Sequence, residues 1–161
     1  MIRFVAEVRG DVQLDRAFNR VEQDISDFRN FWPGVVLAFY EIETAQFQTE
    51  GAQGASGQWA ALSPAYKIFK EREFPGKTIL RRTDALYESM TSADALDSIL
   101  RPEKDELTIG SALPYALIHQ KFRPVISPSE DNKRKMVKSI QQRLVEFARS
   151  AGFETQEEKA A

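Results

Sequence analysis

The chain has 161 residues, of which 42% are apolar, and its formal net charge is −2. These values predict one domain, residues 1–153, with a substantial core, followed by a frayed tail at 154–161. The chain contains no cysteine, which excludes disulfides, thiolate chemistry and cysteine-ligated zinc sites. The longest apolar run, residues 35–40, is too short to span a membrane, and the first residues lack a signal-peptide pattern. We therefore expect a protein made and kept in solution, without membrane partners.

The charge is distributed unevenly along the chain. Residues 1–50 carry nine acidic and five basic side chains, whereas residues 121–149 carry eight basic and three acidic ones. Residues 67–82 add a local excess, with six basic and two acidic side chains. This polarity is compatible with head-to-tail assembly of identical subunits, with a basic face near nucleic acid, or with solvated faces that simply differ.

The N-terminal third predicts a strand followed by helices. Alternating apolar residues over 2–8 indicate a half-buried strand, and three- and four-residue spacing over 14–28 predicts a long amphipathic helix. Trp-Pro-Gly at 32–34 predicts a kink or break, because proline lacks a backbone donor. Over 35–47 apolar residues surround most of the helical circumference, so we expect burial on more than one side, within the fold or against a neighbouring subunit.

The middle of the chain predicts a loop and two short helices. Residues 48–58 are Gly-rich and polar, which predicts a mobile loop that becomes ordered only against a neighbour. Ser63-Pro64 predicts the cap and first turn of a helix that runs to about Glu71. Thr83 is the predicted N-cap of the next helix.

The C-terminal half predicts a hairpin and a final helix. Residues 96–101 and 106–110 are extended segments around a turn, which predicts a β-hairpin. Ser127 is the predicted cap of an amphipathic helix that ends at Gly152. The predicted fold class is α+β, with a small antiparallel sheet, formed by residues 2–8 and the hairpin, packed against a long N-terminal helix and a C-terminal helix.

The densest pattern follows the second strand of that hairpin. The strand ends near Gly110, and Pro114 can open a short helix. At helical spacing, Tyr115, Ile118 and His119 share one face. We expect this face to be docked on another part of the molecule or on a partner.

Chemistry-bearing patterns are few. His119 is the only histidine, and a nearby Ser98 or Ser111 would suggest hydrolysis. No nucleophile elbow, phosphate-binding loop or His-Glu-x-x-His pair is present in the sequence. We therefore predict no catalytic, cofactor or metal site and interpret His119 as a hydrogen-bonded packing residue. A small hydrolase or nucleic-acid-binding factor that uses His119 or the basic C-terminal helix stays open as the alternative.

Two surface features are candidate contacts. Phe39, on the apolar helix at 35–47, is a candidate interface residue. Four cations of the last helix form a candidate interface or DNA-facing surface: Lys133, Arg134, Lys135 and Lys138. Trp59 and Tyr66 flank the Gly-rich loop and are interpreted as core anchors, with ligand stacking as the alternative.

The order of several short motifs resembles a known family. The motifs are Phe47 and the Gly-rich loop, Trp59-x-x-Leu62-Ser63-x-x-Tyr66-Lys67, Ile79-Leu80-x-x-Thr83-x-x-Leu86-x-x-Ser89, Thr108-Ile109-Gly110-Ser111 and Tyr115-Ala116-x-Ile118-His119-Gln120. In this order they resemble the phage virion morphogenesis family, the tail-completion proteins of tailed bacteriophages. Two positions depart from the family pattern: Asp84 stands where the family usually has glycine, and Lys121-Phe122 stands where it has a glycine pair.

The resemblance implies a structural virion protein rather than an enzyme. It implies a hexameric ring at the neck or tail end, assembled in the host bacterial cytoplasm, that joins the tail tube and terminator proteins to the head connector near the channel DNA. The positions that match the motif are taken to hold the fold and subunit contacts: Trp59, Leu62, Leu80, Thr83, Leu86, Tyr115, Ala116, His119 and Gln120.

Overall fold

The computed structural model describes residues 27–150. The predicted strand at 2–8, all but the last two residues of the predicted helix at 14–28, and the predicted tail at 154–161 lie outside this range.

Within the described range the chain forms five α-helices and one two-stranded sheet. In chain order these are α1 (Trp32–Gln48), α2 (Pro64–Glu73), α3 (Ala85–Thr91), β1 (Ser98–Pro102), β2 (Leu107–Ser111), α4 (Ala116–Phe122) and α5 (Glu130–Ser150). This arrangement confirms the predicted α+β class, with a small antiparallel sheet and long helices towards both ends. None of the helices in residues 27–150 is long and apolar enough to cross a membrane.

The predicted break before α1 is present but lies slightly earlier than residues 32–34. A 3₁₀ turn at Phe28–Asn30 precedes Phe31, which is the N-cap of α1. Pro33 falls in the first turn, where its missing N–H needs no partner, so the helix accommodates it. The proline therefore starts the helix instead of kinking it.

The sheet is the predicted hairpin, displaced by one or two residues. Its antiparallel register pairs Ser98 with Ser111 and Pro102 with Leu107. The connecting turn is held by the segment before α1 and by α1 itself. Phe28 N–H donates to the Lys104 carbonyl oxygen at 2.7 Å, and Trp32 Nε1 donates to the Glu103 carbonyl oxygen at 2.6 Å.

The core lies where α1 and α3 meet the loops that follow α1 and α4. Its buried cluster consists of Phe47, Trp59, Ile79, Leu86, Met90 and Val125. The rings of Trp59 and Tyr87 both meet Phe47 edge to face, with centroids 5.4 and 5.3 Å away. Helix α1 contacts both α3 and α5, and the hairpin packs against α3. The apolar circumference of α1 is thus buried on more than one side within the fold.

Helix α5 packs less deeply than α1. None of its residues, 130–150, is fully buried, and Val137 of the predicted apolar stripe is exposed. Ser129, not Ser127, caps it, because Ser129 Oγ accepts from Asn132 N–H at 3.3 Å. The Ser127 hydroxyl instead bonds Ser56, in the Gly-rich loop, at 2.7 Å.

The Gly-rich loop at 48–58 is fixed by the chain itself, so the prediction of a loop ordered only against a neighbour was wrong. Ala55 N–H donates to the Ser127 carbonyl oxygen at 2.8 Å, and successive tight turns carry the chain to Trp59. Gly51 has φ +92°, and a Cβ there would lie 2.6 Å from the Trp59 ring. The glycines in this segment allow close packing, which their composition alone did not distinguish from mobility.

Helix α3 begins at a different cap from the predicted one. Thr83 lies before the helix, and Asp84 is the N-cap with the left-handed backbone φ of +61°. The Asp84 carboxylate makes no cap bond and instead binds Lys77 and, at 2.8 Å, Arg81 Nε. These contacts with two cations lower the Asp84 pKa, the Arg81 hydrogen bond most.

Candidate partner-binding cleft

Most of the predicted motif positions border one cleft between α2, α4 and the segment before α3. The cleft has a volume of about 780 Å³. Its apolar and aromatic walls come from Leu62, Tyr66, Leu80, Leu86 and Tyr115. Residues far apart in the chain thus meet at one concave surface, which we call the basic cleft for the reason that follows.

The charged side chains that line the basic cleft are all cationic. Lys70 comes from α2, Arg82 from the segment before α3, and Arg123 follows α4. No aspartate or glutamate belongs to the lining, which consists wholly of residues within 61–123. Only 4% of Lys70 is exposed, and its ammonium group donates to the Thr78 carbonyl oxygen. A buried cation in such a wall favours an anionic occupant.

The pKa values in the basic cleft are lowered mainly by burial. Burial lowers the pKa of Lys70, while Glu50 and Asp84 oppose the shift and Arg123 adds to it least. Burial also lowers the pKa of His119, and the Arg123 guanidinium adds to that effect. Both shifts follow from placing groups that carry positive charge in a partly desolvated site.

His119 packs in this wall without the predicted hydrogen bond. Its ring meets Tyr115 edge to face with the centroids 5.7 Å apart, and its side chain has no hydrogen-bond partner among the described residues. Ser111 Oγ lies 2.7 Å from Ser89 Oγ and accepts from Leu113 N–H at 3.3 Å, while Ser98 Oγ is buried. Neither serine forms a nucleophile–base pair with His119.

Gln120 and Arg123 shape the turn after α4, where the glycine pair of the resemblance is missing. Gln120 Oε1 accepts from the backbone N–H groups of Val125 and Ile126 at 2.9 and 3.0 Å, and its Nε2 donates to the Ile126 carbonyl oxygen at 2.8 Å. Arg123 Nε donates to the Ala60 carbonyl oxygen at 2.8 Å. A side-chain network therefore fixes this turn without glycine.

Trp59 completes that network from the other side. Its indole Nε1 donates to the Pro124 carbonyl oxygen at 2.8 Å while its ring is buried against Phe47. The interpretation of Trp59 as a core anchor is confirmed. Tyr66, the second predicted anchor, is instead exposed at the cleft wall and faces the Phe69 ring at 5.9 Å.

The motif positions divide between the core and the cleft. Leu86 is buried, Leu62, Leu80 and Ala116 are half-buried against the core, and Thr83 is exposed at the cleft. Leu80 has a φ of +62°, a left-handed conformation that costs a branched side chain about 1–3 kcal/mol. The surrounding packing holds it there.

The face of α4 that was expected to be docked is largely uncovered. Ile118 is 59% exposed, and its neighbours Leu117 and Phe122 are 79% and 65% exposed. We call these three residues the α4 apolar face. Only the Tyr115–His119 side of the helix turns towards the basic cleft.

The candidate contacts on α1 and α5 are largely used within the chain. Phe39 is half-buried and packs against the core, so it is a poor interface residue; Leu37 is the exposed apolar residue of α1. Three of the four α5 cations pair with carboxylates: Lys133 with Glu130 at 2.6 Å, Arg134 with Asp131 at 3.5 Å and Lys135 with Glu41 at 2.7 Å. Lys138 has no carboxylate partner within residues 27–150.

Sequence reasoning missed the basic cleft as a site. The excess of cations over residues 67–82 marked Lys70 and Arg82, but Arg123 comes 41 positions after Arg82 and carries no local signal.

Within the described part of the chain, no group of three or more His, Cys, Asp or Glu side chains could hold a metal ion. No protein-family model, curated protein or solved structure matches the chain.

Proposed function

We propose that this chain is a structural protein of a tailed-bacteriophage virion that assembles as a ring at the neck or tail end. The ring would complete the tail, contact the tail tube and terminator proteins on one side and the head connector on the other, and assemble in the host bacterial cytoplasm. The proposal begins from the motif order and its resemblance to tail-completion proteins.

The observation that carries the proposal is the α4 apolar face. Three large apolar side chains, Leu117, Ile118 and Phe122, stand largely exposed on seven residues of helix. Adjacent to them, an apolar groove of about 280 Å³ runs between α4 and the hairpin, with Ile109 and Ile126 in its walls. Contiguous apolar surface of this kind is typical of protein–protein contacts.

The backbone at Asp84 also supports the resemblance. The family pattern has glycine at this position, and the residue here has φ +61°, a conformation that glycine adopts without steric cost. Aspartate tolerates it better than most side chains, and the ion pairs with Lys77 and Arg81 hold it in place. The departure in sequence therefore preserves the same backbone requirement.

The α5 surface is not assigned a contact with channel DNA. Lys133, Arg134 and Lys135 are each paired with a carboxylate of the same chain, so three of the four candidate cations are offset where phosphate contacts would form.

Assembly can be tested with matched leucine variants. Leu117→Glu should abolish ring formation, because it places a charge in the proposed contact, while Leu37→Glu should leave it intact. Leu37 is 61% exposed and lies on α1, beside α5 and outside the groove that α4 lines. The measurements are mass in solution by light scattering and negative-stain imaging, with circular dichroism to verify that both variants are folded.

Two results would overturn the proposal. One is a wild-type protein that stays monomeric at high concentration and also fails to bind phage tails that lack their completion protein. The other is a folded Leu117→Glu variant that assembles as well as the wild type.

A further inference from the structure

The basic cleft has a composition that selects a particular kind of occupant. Lys70, Arg82 and Arg123 supply positive charge, and Leu62, Leu80 and Tyr66 supply apolar wall in the same concavity. A small inorganic anion would meet the cations but leave the apolar wall uncovered. A peptide that carries carboxylates next to an aromatic or aliphatic side chain would satisfy both.

The charges around His119 favour an incoming anion. Burial lowers the pKa of His119, and the positive charge of Arg123 lowers it further, so a protonated His119 and Arg123 repel one another in the cleft. Lys70 retains donors after its bond to Thr78, because an ammonium group has three. An incoming carboxylate would relieve the repulsion and accept hydrogen bonds from those donors.

The chain itself contains a segment of matching chemistry. Residues 151–161, Ala-Gly-Phe-Glu-Thr-Gln-Glu-Glu-Lys-Ala-Ala, hold three glutamates against one lysine and place Phe153 next to Glu154. Two other acid-rich stretches match less well. Glu103 to Glu106 has no apolar residue, and the carbonyl oxygens of Glu103 and Lys104 already accept from Trp32 and Phe28. In residues 22–28, Asp27 pairs with Arg29 and the Phe28 ring packs against Phe31 and Trp32. Of the three, the 151–161 segment is the best match to a cleft with both cationic and apolar walls.

We propose that the basic cleft of one copy binds residues 151–161 of a neighbouring copy. This inference rests on the proposed assembly of identical subunits and adds to it a specific contact, in which Phe153 covers the apolar wall and the glutamates meet the cations. The contact links successive subunits head to tail, because each copy gives its 151–161 segment to one neighbour and its cleft to another.

The single histidine makes binding measurable at the site itself. His119 lines the cleft and is the only histidine in the chain, so its imidazole NMR signals report the cleft without ambiguity. A carboxylate brought within a few ångströms should raise the His119 pKa by about one unit. Arg82→Gln should reduce that rise, because it removes a cleft cation whose side chain makes no ion pair in the described structure.

The experiment uses the full-length chain in a phosphate-free buffer. The acceptor carries Glu154→Gln, Glu157→Gln and Glu158→Gln, so that its own segment cannot compete by charge, and a synthetic peptide of residues 151–161 is added. The His119 pKa should rise on saturation with this peptide and should not rise with the same peptide containing three glutamines. Arg101→Gln, an exposed cation of β1 outside the cleft, is the control and should behave like the parent acceptor.

Each alternative occupant has its own outcome. In wild-type protein the His119 pKa should rise with protein concentration. If the His119 pKa does not depend on concentration and is lower only in the triple variant, the segment binds the cleft of its own chain. That result would overturn the inference. An equal shift with inorganic phosphate or with a short single-stranded DNA would indicate a general anion site and overturn it too. Peptide binding is measured on the subunit, so its failure would not contradict ring formation through the α4 apolar face. Likewise, a failure of ring formation would not contradict peptide binding in the basic cleft.

Discussion

The core around Trp59 and the α1–α5 pair are built from different kinds of contact. In the core, the buried Trp59 ring packs against Phe47, and its Nε1 donates to the Pro124 carbonyl oxygen far away in sequence. Between α1 and α5, the charged contact is the exposed pair Lys135–Glu41. Buried, matched contacts stabilise strongly, whereas exposed ion pairs contribute about 0–1 kcal/mol, so the two regions should respond very differently to substitution.

The largest effect is expected in the core. Trp59→Ala should lower the free energy of unfolding by about 3–5 kcal/mol, because it removes a buried ring against Phe47 and leaves the Pro124 carbonyl oxygen without its donor. Denaturant unfolding measures this loss. Trp59→Phe keeps one six-membered aromatic ring against Phe47 but loses the donor and the rest of the indole, and it should cost clearly less. Equal losses would mean that the packing which Phe retains contributes little.

Glu43 lies on α1, the helix that the two regions share. It is buried, and its Oε2 has no hydrogen-bond partner among the described residues. Burial raises the pKa of Glu43 from its ordinary value of 4.5 to about 8. Because the folded-state pKa is the higher one, the folded chain holds the proton more tightly. The stability that this provides is complete below about pH 4.5 and is lost as the pH rises towards 8.

Glu43→Gln should remove this pH dependence. The amide stays neutral, so the unfolding free energy of the wild type should fall relative to the variant by roughly 1.4 kcal/mol per pH unit between those two pKa values. Urea unfolding of both proteins at several pH values gives the comparison. Parallel curves would show that Glu43 is solvated or paired in solution.

How much of this could be predicted from the sequence differs between the two regions as well. Periodicity and turn residues predicted α1, the hairpin and α5, because hydrophobic spacing reflects local geometry. The caps were less accurate, since Ser127 and Ser129 are equivalent by composition and only the contact between Ser127 and Ser56 separates them.

The basic cleft could not be predicted because it depends on tertiary contacts. Arg123 reaches the cleft only because Gln120 turns the chain after α4, and sequence spacing contains no record of that turn. The α5 cations have a tertiary contact that sequence spacing also does not record. Lys135 pairs with Glu41, which lies on a helix almost a hundred residues earlier, while the binding surface at these cations stays a prediction.

The smallest effect is expected at that α1–α5 pair, and it defines the lower end of the comparison. Both side chains are about half exposed, so their attraction is screened by water and salt. Lys135→Glu should lower the unfolding free energy by about 1 kcal/mol or less, because it replaces the attraction with repulsion from Glu41. The reversed pair, Glu41→Lys with Lys135→Glu, should restore most of that loss. With the single variant Glu41→Lys these proteins form a double-mutant cycle, and 1 M salt should remove the differences in unfolding free energy among all four. A coupling energy above about 2 kcal/mol in this cycle would mean that the pair is desolvated, and that α5 is attached to α1 as firmly as Trp59 is attached to the core.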